Sequence, residues 1–198
     1  MLSSFYLTFH IRSVIMKEQT IKETYERLLN YSQKIKPEKM GENVNDADWK
    51  IKEMITTYEQ AETKIVGNFF SNAIESRKNP DKRGIDLICK TKDTGVDFFL
   101  EVKSDFYPSQ NLFLETTSRG YENKLSRDAK QTDKPVWVAF LRPDYKLYLL
   151  DYKELKKTAE KENWKEFSSK HNTTGYLLNE DFLTQTRPHF FRGVFSLK

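Results

Sequence analysis

The segment 84-GIDLICKTKDTGVDFFLEVKSD-105 decides the fold, because it contains two apolar stretches joined by a short turn. The pattern predicts β-strands at 85–90 and 96–104. Charged residues stand inside these otherwise apolar strands, namely Asp86, Glu101 and Lys103. Since charged side chains are rarely buried unless they are paired, the three are expected to interact with one another or with a common partner.

The turn 91-TKDTG-95 determines which residues of the two strands face each other. A two-residue turn at 93-DT-94 places Asp86 directly opposite Glu101, with the Cβ atoms about 4.5–5.5 Å apart. A turn centred one residue later places Lys103 opposite Asp86 instead, on the same face. Only a three-residue loop would shift the register by one and separate them.

Two carboxylates and an ammonium group on one patch have a specific chemical use. Like carboxylates at this distance repel each other and retain a proton unless a cation lies between them. Carboxylate and carbonyl oxygens are the ligands that a hard ion such as Mg²⁺ accepts, and a nearby lysine can orient an attacking water. The alternative is a structural ion pair between Lys103 and either acid at the rim of the sheet.

A long amphipathic helix is predicted at about 49–75, where apolar residues recur at intervals of three and four. Glu62 falls near the middle of this apolar stripe, between Tyr58 and Val66. A buried carboxylate costs free energy unless it is paired, protonated or bound to a metal. Glu62 is therefore a further candidate for the acidic site.

These residues resemble the motif of the PD-(D/E)xK nuclease superfamily, and most of all its archaeal-type Holliday junction resolvases and phage endonucleases. The resemblance covers roughly residues 55–152. An acidic helix position is followed by Gly-Ile-Asp in one strand, a short hairpin, and Glu-Val-Lys in the next strand. Ile85 stands where the name-giving proline would be.

The resemblance implies a catalytic set that consists of Glu62, Asp86, Glu101 and Lys103. Asp86, Glu101 and the backbone carbonyl of Val102 would hold Mg²⁺ or Mn²⁺. It further implies hydrolysis of DNA phosphodiester bonds, with branched or phage DNA as candidate substrates. A homodimer, with the helix 17–36 at an interface, is a related expectation.

Basic residues border the acidic motif on both sides and are expected to contact the phosphate backbone. The candidates are Arg83, Arg119, Lys124, Arg127 and Lys130. Glu115, on a third strand predicted at 112–117, either lies near the metal or faces solvent.

The remaining pattern predicts an α/β fold, a central mixed β-sheet of about five strands flanked by helices, as in restriction endonucleases, with an extra N-terminal helix. Further strands are predicted at 135–141 and 146–152, further helices at 121–132 and 153–170, and an edge strand or capping segment at 175–197. The expected division is an N-terminal extension (1–48), a nuclease core (49–152) and a C-terminal helix and cap (153–198). Residues 1–15 either form an extra strand or precede a true start at Met16.

The composition limits the other possibilities. The chain has 198 residues, a formal net charge of +4 and one cysteine, Cys89. A lone cysteine excludes an intramolecular disulfide and multi-cysteine zinc sites, and it favours a reducing, cytoplasmic location. The N-terminal apolar run, broken by His10 and Arg12, is too short to span a membrane.

The sequence therefore predicts a metal-dependent endodeoxyribonuclease. Two alternatives stay open: a nuclease-fold module that binds DNA or protein without cutting, and a nuclease directed at RNA.

Overall fold

A computed structural model of the chain describes residues 18–34, 49–80, 85–104, 110–118, 120–168 and 172–197. The helices are α1 (Glu18–Lys34), α2 (Trp49–Phe69), α3 (Lys124–Lys130), α4 (Tyr152–Lys161) and α5 (Glu180–Thr186). The strands are β1 (Ile74–Lys78), β2 (Leu87–Thr91), β3 (Asp97–Ser104), β4 (Asn111–Ser118), β5 (Tyr121–Glu122), β6 (Val136–Leu141), β7 (Lys146–Asp151), β8 (Phe167–Ser168), β9 (Thr173–Asn179) and β10 (Phe191–Ser196). The alternative readings of residues 1–15 lie outside the described residues.

The centre of the fold is a mixed sheet with the strand order β1-β2-β3-β6-β7-β10. Strands β3 and β6 are parallel, and the other neighbours are antiparallel. The connection between the parallel pair is long enough to contain β4, β5 and α3. All six residues of β6 are buried, because both faces of the sheet are covered there. The predicted α/β class with a central mixed sheet flanked by helices is confirmed, and the sheet has six strands.

The predicted strand at 112–117 exists, as β4, but it belongs to a second sheet. That sheet has four antiparallel strands in the order β5-β4-β9-β8. Its inner side chains, such as Leu112 and Leu178, pack with Val138 and Phe140 of the central sheet. Assigning the strand to the central sheet was wrong, because alternating burial looks the same in either sheet.

The central sheet separates two hydrophobic clusters. On one face Ile65 of α2 and Tyr25 of α1 pack with Leu100 and Val102 of β3. The opposite face packs against the second sheet and α4. Tyr25 is fully buried within the chain, so this side of α1 is used internally and is not free to form a dimer interface.

The boundary after the second helix was also predicted wrongly. Helix α2 ends at Phe69 instead of near residue 75, and the residues around the expected helix end form the edge strand β1 (Ile74–Lys78). Of its five residues only Ile74 is buried. An edge strand pairs on one side only, so the strand carries almost no apolar signal.

The C-terminal residues contribute to both sheets. Strand β9 pairs with β4 in the second sheet, and β10 pairs with β7 at the edge of the central sheet. The proposed division at 48/49 and 152/153 stays a prediction. Among the described residues, no helix combines the length and the apolar character needed to cross a membrane.

Candidate active site

The β2–β3 hairpin has the first of the two registers considered from the sequence, the one that places Asp86 opposite Glu101. Leu87 pairs with Leu100, and Lys90 pairs with Asp97. The predicted two-residue turn was wrong, because the amide of Thr91 donates to the carbonyl of Val96 (3.0 Å), which leaves four residues in the loop. The loop is centred on the same point, so lengthening it by one residue on each side preserves the pairing.

Asp86 lies immediately before β2 and is fixed against β3. Its Oδ2 atom accepts a hydrogen bond from the backbone amide of Val102 at 2.8 Å. The carbonyl of Asp86 accepts from the amide of Asn79 at 2.9 Å. These two bonds hold the carboxylate beside Glu101, as expected from the register.

Glu101 and Lys103 point toward the same patch from β3. The ammonium Nζ of Lys103 lies 3.1 Å from Glu101 Oε1, and the Glu101 side chain is only 5% exposed. A second ammonium approaches from α3, where Lys124 Nζ lies 3.7 Å from Asp86 Oδ1 and 4.0 Å from Glu101 Oε2. Asp86, Glu101, Lys103 and Lys124 are called the acid centre below.

The start of α3 is what places Lys124 in the acid centre. Asn123 caps the helix by accepting from the amide of Ser126 at 2.7 Å. The side-chain amide of Asn123 donates to the carbonyl of Glu115, which ties the helix start to β4. Lys124, the first helical residue, therefore has a backbone anchored on the second sheet and a side chain directed at the central sheet.

The electrostatics of the acid centre are those of crowded, poorly solvated charges. Burial, and next the charge of Glu101, raise the pKa of Asp86 to about 6. Burial would lower the pKa of Lys103, but the carboxylates of Glu101 and Glu115 outweigh it and raise that pKa above its usual range. Glu115 is thus close enough to act on the site.

Glu62 approaches the end of β3 from the other face of the sheet. Side chains alternate along a strand, so Ser104 shares the α2 face with Val102. The Ser104 hydroxyl donates a hydrogen bond to Glu62 Oε1 and also forms a hydrogen bond with the Tyr58 hydroxyl. Burial raises the pKa of Glu62 to about 8, although the bond from Ser104 and the charge of Lys103 both oppose the increase.

The acid centre supplies part of the ligand set that a divalent cation needs. No group of three or more His, Cys, Asp or Glu side chains suited to a metal ion occurs in the described part of the chain. Asp86 and Glu101 are two carboxylates, however, and Glu101 Oε2 is buried with no hydrogen-bond partner among the described residues. Two carboxylates with one unsatisfied oxygen fit a hard cation that keeps several water ligands, as Mg²⁺ does.

The predicted phosphate-contacting residues have different positions. Lys124 lies in the acid centre, whereas Arg127 pairs with its neighbour Asp128 at 3.1 Å. Lys130 pairs with Glu122 at 2.6 Å. The remaining two candidates, Arg83 and Arg119, lie outside the described residues.

The sequence did not predict roles for Tyr58 and Ser104. A signal was present, because Tyr58 and Glu62 are four residues apart and share one face of the helix. Ser104 follows Val102 by two, which assigns it to the α2 face. The position of Lys124 beside the acids had no comparable local signal.

The fold and the acid centre define an α/β protein with paired carboxylates and lysines at one end of a central mixed sheet. No protein-family model matches the chain, and no curated protein matches it either. Among solved structures, the chain is similar to Hjc, a Holliday junction resolvase from the archaeal hyperthermophile Archaeoglobus fulgidus. The match has 11% identity and a TM-score of 0.39, and it covers 64% of this chain and 92% of the resolvase. That likeness is a distant resemblance of fold.

Proposed function

We propose that the protein is a metal-dependent endodeoxyribonuclease that hydrolyses DNA phosphodiester bonds. The observation that supports this most strongly is the position of the Asp86 carboxylate, which the Val102 amide holds beside Glu101. The ammonium group of Lys103 contacts Glu101 at the same place. A structural ion pair needs one acid and one base. Here two acids are kept side by side with two lysines, although burial and the charge of Glu101 both disfavour the charged form of Asp86.

Asp86, Glu101 and the carbonyl of Val102 would hold Mg²⁺ or Mn²⁺. The bound ion would polarise a phosphoryl oxygen and lower the pKa of a bound water. The protein contributes the fixed geometry, since the amide of Val102 binds Asp86 Oδ2 and leaves Oδ1 directed into the site. Glu101 likewise has one oxygen bound by Lys103, and its other oxygen has no hydrogen-bond partner in the described part of the chain.

Lys103 orients the attacking water or offsets negative charge that develops on the phosphate. Its pKa above the usual range keeps the ammonium charged throughout the neutral range, which suits charge stabilisation better than proton abstraction. Glu62 acts indirectly, through Ser104, by fixing the end of β3 that carries Lys103.

DNA is the proposed partner, and branched DNA is the first substrate class to examine. The helix α3, which carries Lys124 into the acid centre, also carries the exposed side chains of Arg127 and Lys130. Exposed cations next to a phosphodiesterase site favour binding of a phosphate backbone. A homodimer remains part of the proposal, with an interface elsewhere than the buried side of α1.

The test is cleavage of supercoiled plasmid and of a four-way junction by wild type and Lys103→Ala, each with Mg²⁺, Mn²⁺ or EDTA. Lys90→Ala is the matched control, because Lys90 is an exposed lysine of β2 within the same hairpin. We expect wild type and Lys90→Ala to cut DNA only with metal, and Lys103→Ala to be roughly 10²–10³-fold slower.

A substrate panel of duplex DNA, single-stranded DNA and RNA separates the alternatives. Binding of DNA without cleavage of any substrate would contradict the proposal and favour a non-catalytic module. Cleavage of RNA alone would overturn the assignment to DNA while retaining the chemistry.

A further inference from the structure

Each carboxylate of the acid centre has one oxygen engaged and one oxygen directed at Lys124. Asp86 Oδ2 is bound by the Val102 amide, and Glu101 Oε1 is paired with Lys103. The other two oxygens, Asp86 Oδ1 and Glu101 Oε2, are those nearest to Lys124 Nζ. The Lys124 ammonium therefore faces the same pair of oxygens that a bound cation would need.

Lys124 is attracted to these oxygens without a close bond to either. The distances of 3.7 Å and 4.0 Å exceed hydrogen-bonding range. Glu101 Oε2 consequently has no hydrogen-bond partner among the described residues. The Lys124 side chain is 35% exposed, so it can leave the acids for solvent without crossing the core.

Three other lysines of the described residues are bound more closely. Lys130 lies 2.6 Å from Glu122, Lys134 lies 3.1 Å from Asp97, and Lys156 donates to Ser126 at 2.9 Å. Lys124 is thus shared between two acids at long distance, whereas each of these three has a close partner. A shared and loosely held ammonium is the arrangement expected of a replaceable counterion.

We propose that Lys124 is an internal counterion of the Asp86–Glu101 pair, which a divalent cation must displace in order to bind. The inference rests on the proposed function, because it concerns the metal site of that function. It adds that Lys124 sets the metal affinity: without metal its charge offsets the repulsion between the two adjacent carboxylates, and with metal its ammonium moves away from Asp86 Oδ1 and Glu101 Oε2. Lys124 is then a positioning residue for the acids and not a permanent phosphate contact.

The test measures metal binding directly, without an activity assay. Mn²⁺ is titrated into full-length wild type, Lys124→Met and Lys134→Met, and free Mn²⁺ is followed by electron paramagnetic resonance. Lys134→Met is the matched control, since it removes a lysine paired with the first residue of β3. We expect Lys124→Met to bind Mn²⁺ about tenfold more tightly, because two partly exposed ion pairs each oppose binding by up to about fivefold. Lys134→Met should match wild type.

Two further variants make the result unambiguous. Lys124→Arg keeps the charge and should stay within about threefold of the wild-type affinity, which separates loss of charge from altered packing. Asp86→Asn should lose the binding. If Asp86-dependent binding exists and Lys124→Met binds no more tightly than wild type, the inference about Lys124 is overturned while the metal site stands. If wild type and Lys124→Met both bind no Mn²⁺, the metal-dependent function fails as well.

Discussion

Two groups of buried charged side chains in the described part of the molecule differ in how completely they are satisfied. In the first, Arg142 Nε lies 2.9 Å from Glu180 Oε1, and the Tyr148 hydroxyl donates to Glu180 Oε2 at 2.8 Å. One acid, one base and one hydroxyl thus account for both carboxylate oxygens. In the acid centre two carboxylates adjoin each other, and one buried oxygen has no hydrogen-bond partner among the described residues.

Under the proposed function, the difference separates a structural group from a metal-binding one. A buried charge that serves only the fold is stable when its partners satisfy every polar atom. In the Arg142 group both oxygens of the Glu180 carboxylate have partners, and the group links β7 to the start of α5. The acid centre does not meet that condition, because Glu101 Oε2 has no hydrogen-bond partner among the described residues and the two adjacent acids repel each other.

The largest expected effect comes from Glu101→Gln, which removes one charge of the acid centre. DNA cleavage should fall by roughly 10²–10³-fold, because a carboxylate ligand of the proposed cation is lost, and with it the stabilisation of the negative charge that develops on the phosphate. The free energy of unfolding should change by less than about 1 kcal/mol, since losing the Lys103 pair is offset by relief of repulsion with Asp86. Plasmid cleavage and urea denaturation of the same preparation measure both quantities. If Glu101→Gln loses much stability and still cleaves DNA at the wild-type rate, the acid centre has the structural role that is assigned here to the Arg142 group.

The corresponding substitution in the Arg142 group is Glu180→Gln. It leaves the Arg142 guanidinium, whose side chain is only 6% exposed, without its carboxylate. We expect a loss of about 3 kcal/mol in the free energy of unfolding. Cleavage per folded molecule should be unchanged. A reduced rate below the unfolding transition would show that the two groups are coupled.

The dependence of the free energy of unfolding on pH tests a further buried acid, Glu62, which belongs to neither group. Burial raises the pKa of Glu62 to about 8, far above its value in an unfolded chain. The folded state therefore retains a proton that the unfolded state has released, so stability present at pH 4 is lost as the pH rises toward 8. In EDTA we expect the contribution of Glu62 to this loss to be on the order of 3 kcal/mol.

Glu62→Gln is the variant that checks this assignment. The substituted amide cannot ionise, so the decline in the free energy of unfolding between pH 5 and pH 8 should become shallower. Denaturation midpoints in urea at several pH values give the slope. Equal slopes for wild type and variant would mean that Glu62 ionises normally in the folded protein.

The smallest effect is expected for Tyr148→Phe. The substitution removes the hydroxyl that donates to Glu180 Oε2 and leaves the pair with Arg142 in place. A hydrogen bond to a charged group contributes about 1.5 kcal/mol, so the free energy of unfolding should fall by that amount. Thermal unfolding at fixed pH measures it. A loss as large as that of Glu180→Gln would show that the hydroxyl, and not the charge pair, dominates the Arg142 group.

The sequence predicted the parts of the site that depend on local periodicity. The position of Asp86 beside Glu101 follows from the centre of one turn and from the alternation of strand residues, and lengthening the loop evenly did not disturb it. The location of Glu62 on the inner face of α2 follows from helical spacing. These features need only the chain's own geometry over short distances.

The parts that were missed depend on contacts between distant segments. Strand β1 has one buried residue, Ile74, and pairs only because β2 lies beside it. Strand β4 alternates like a central strand but pairs with β9, about 60 residues later in the chain. Lys124 reaches the acids because Asn123 anchors the start of α3 to β4. No periodicity within a segment encodes such pairings.

The central claim, that Asp86 and Glu101 jointly hold a divalent cation, is tested most directly by crystals grown with saturating Mn²⁺ and anomalous diffraction from the metal. The account predicts one anomalous peak beside Asp86 Oδ1 and Glu101 Oε2, with Lys124 moved away. A map without a peak between these oxygens, with Lys124 still facing both acids, would contradict it.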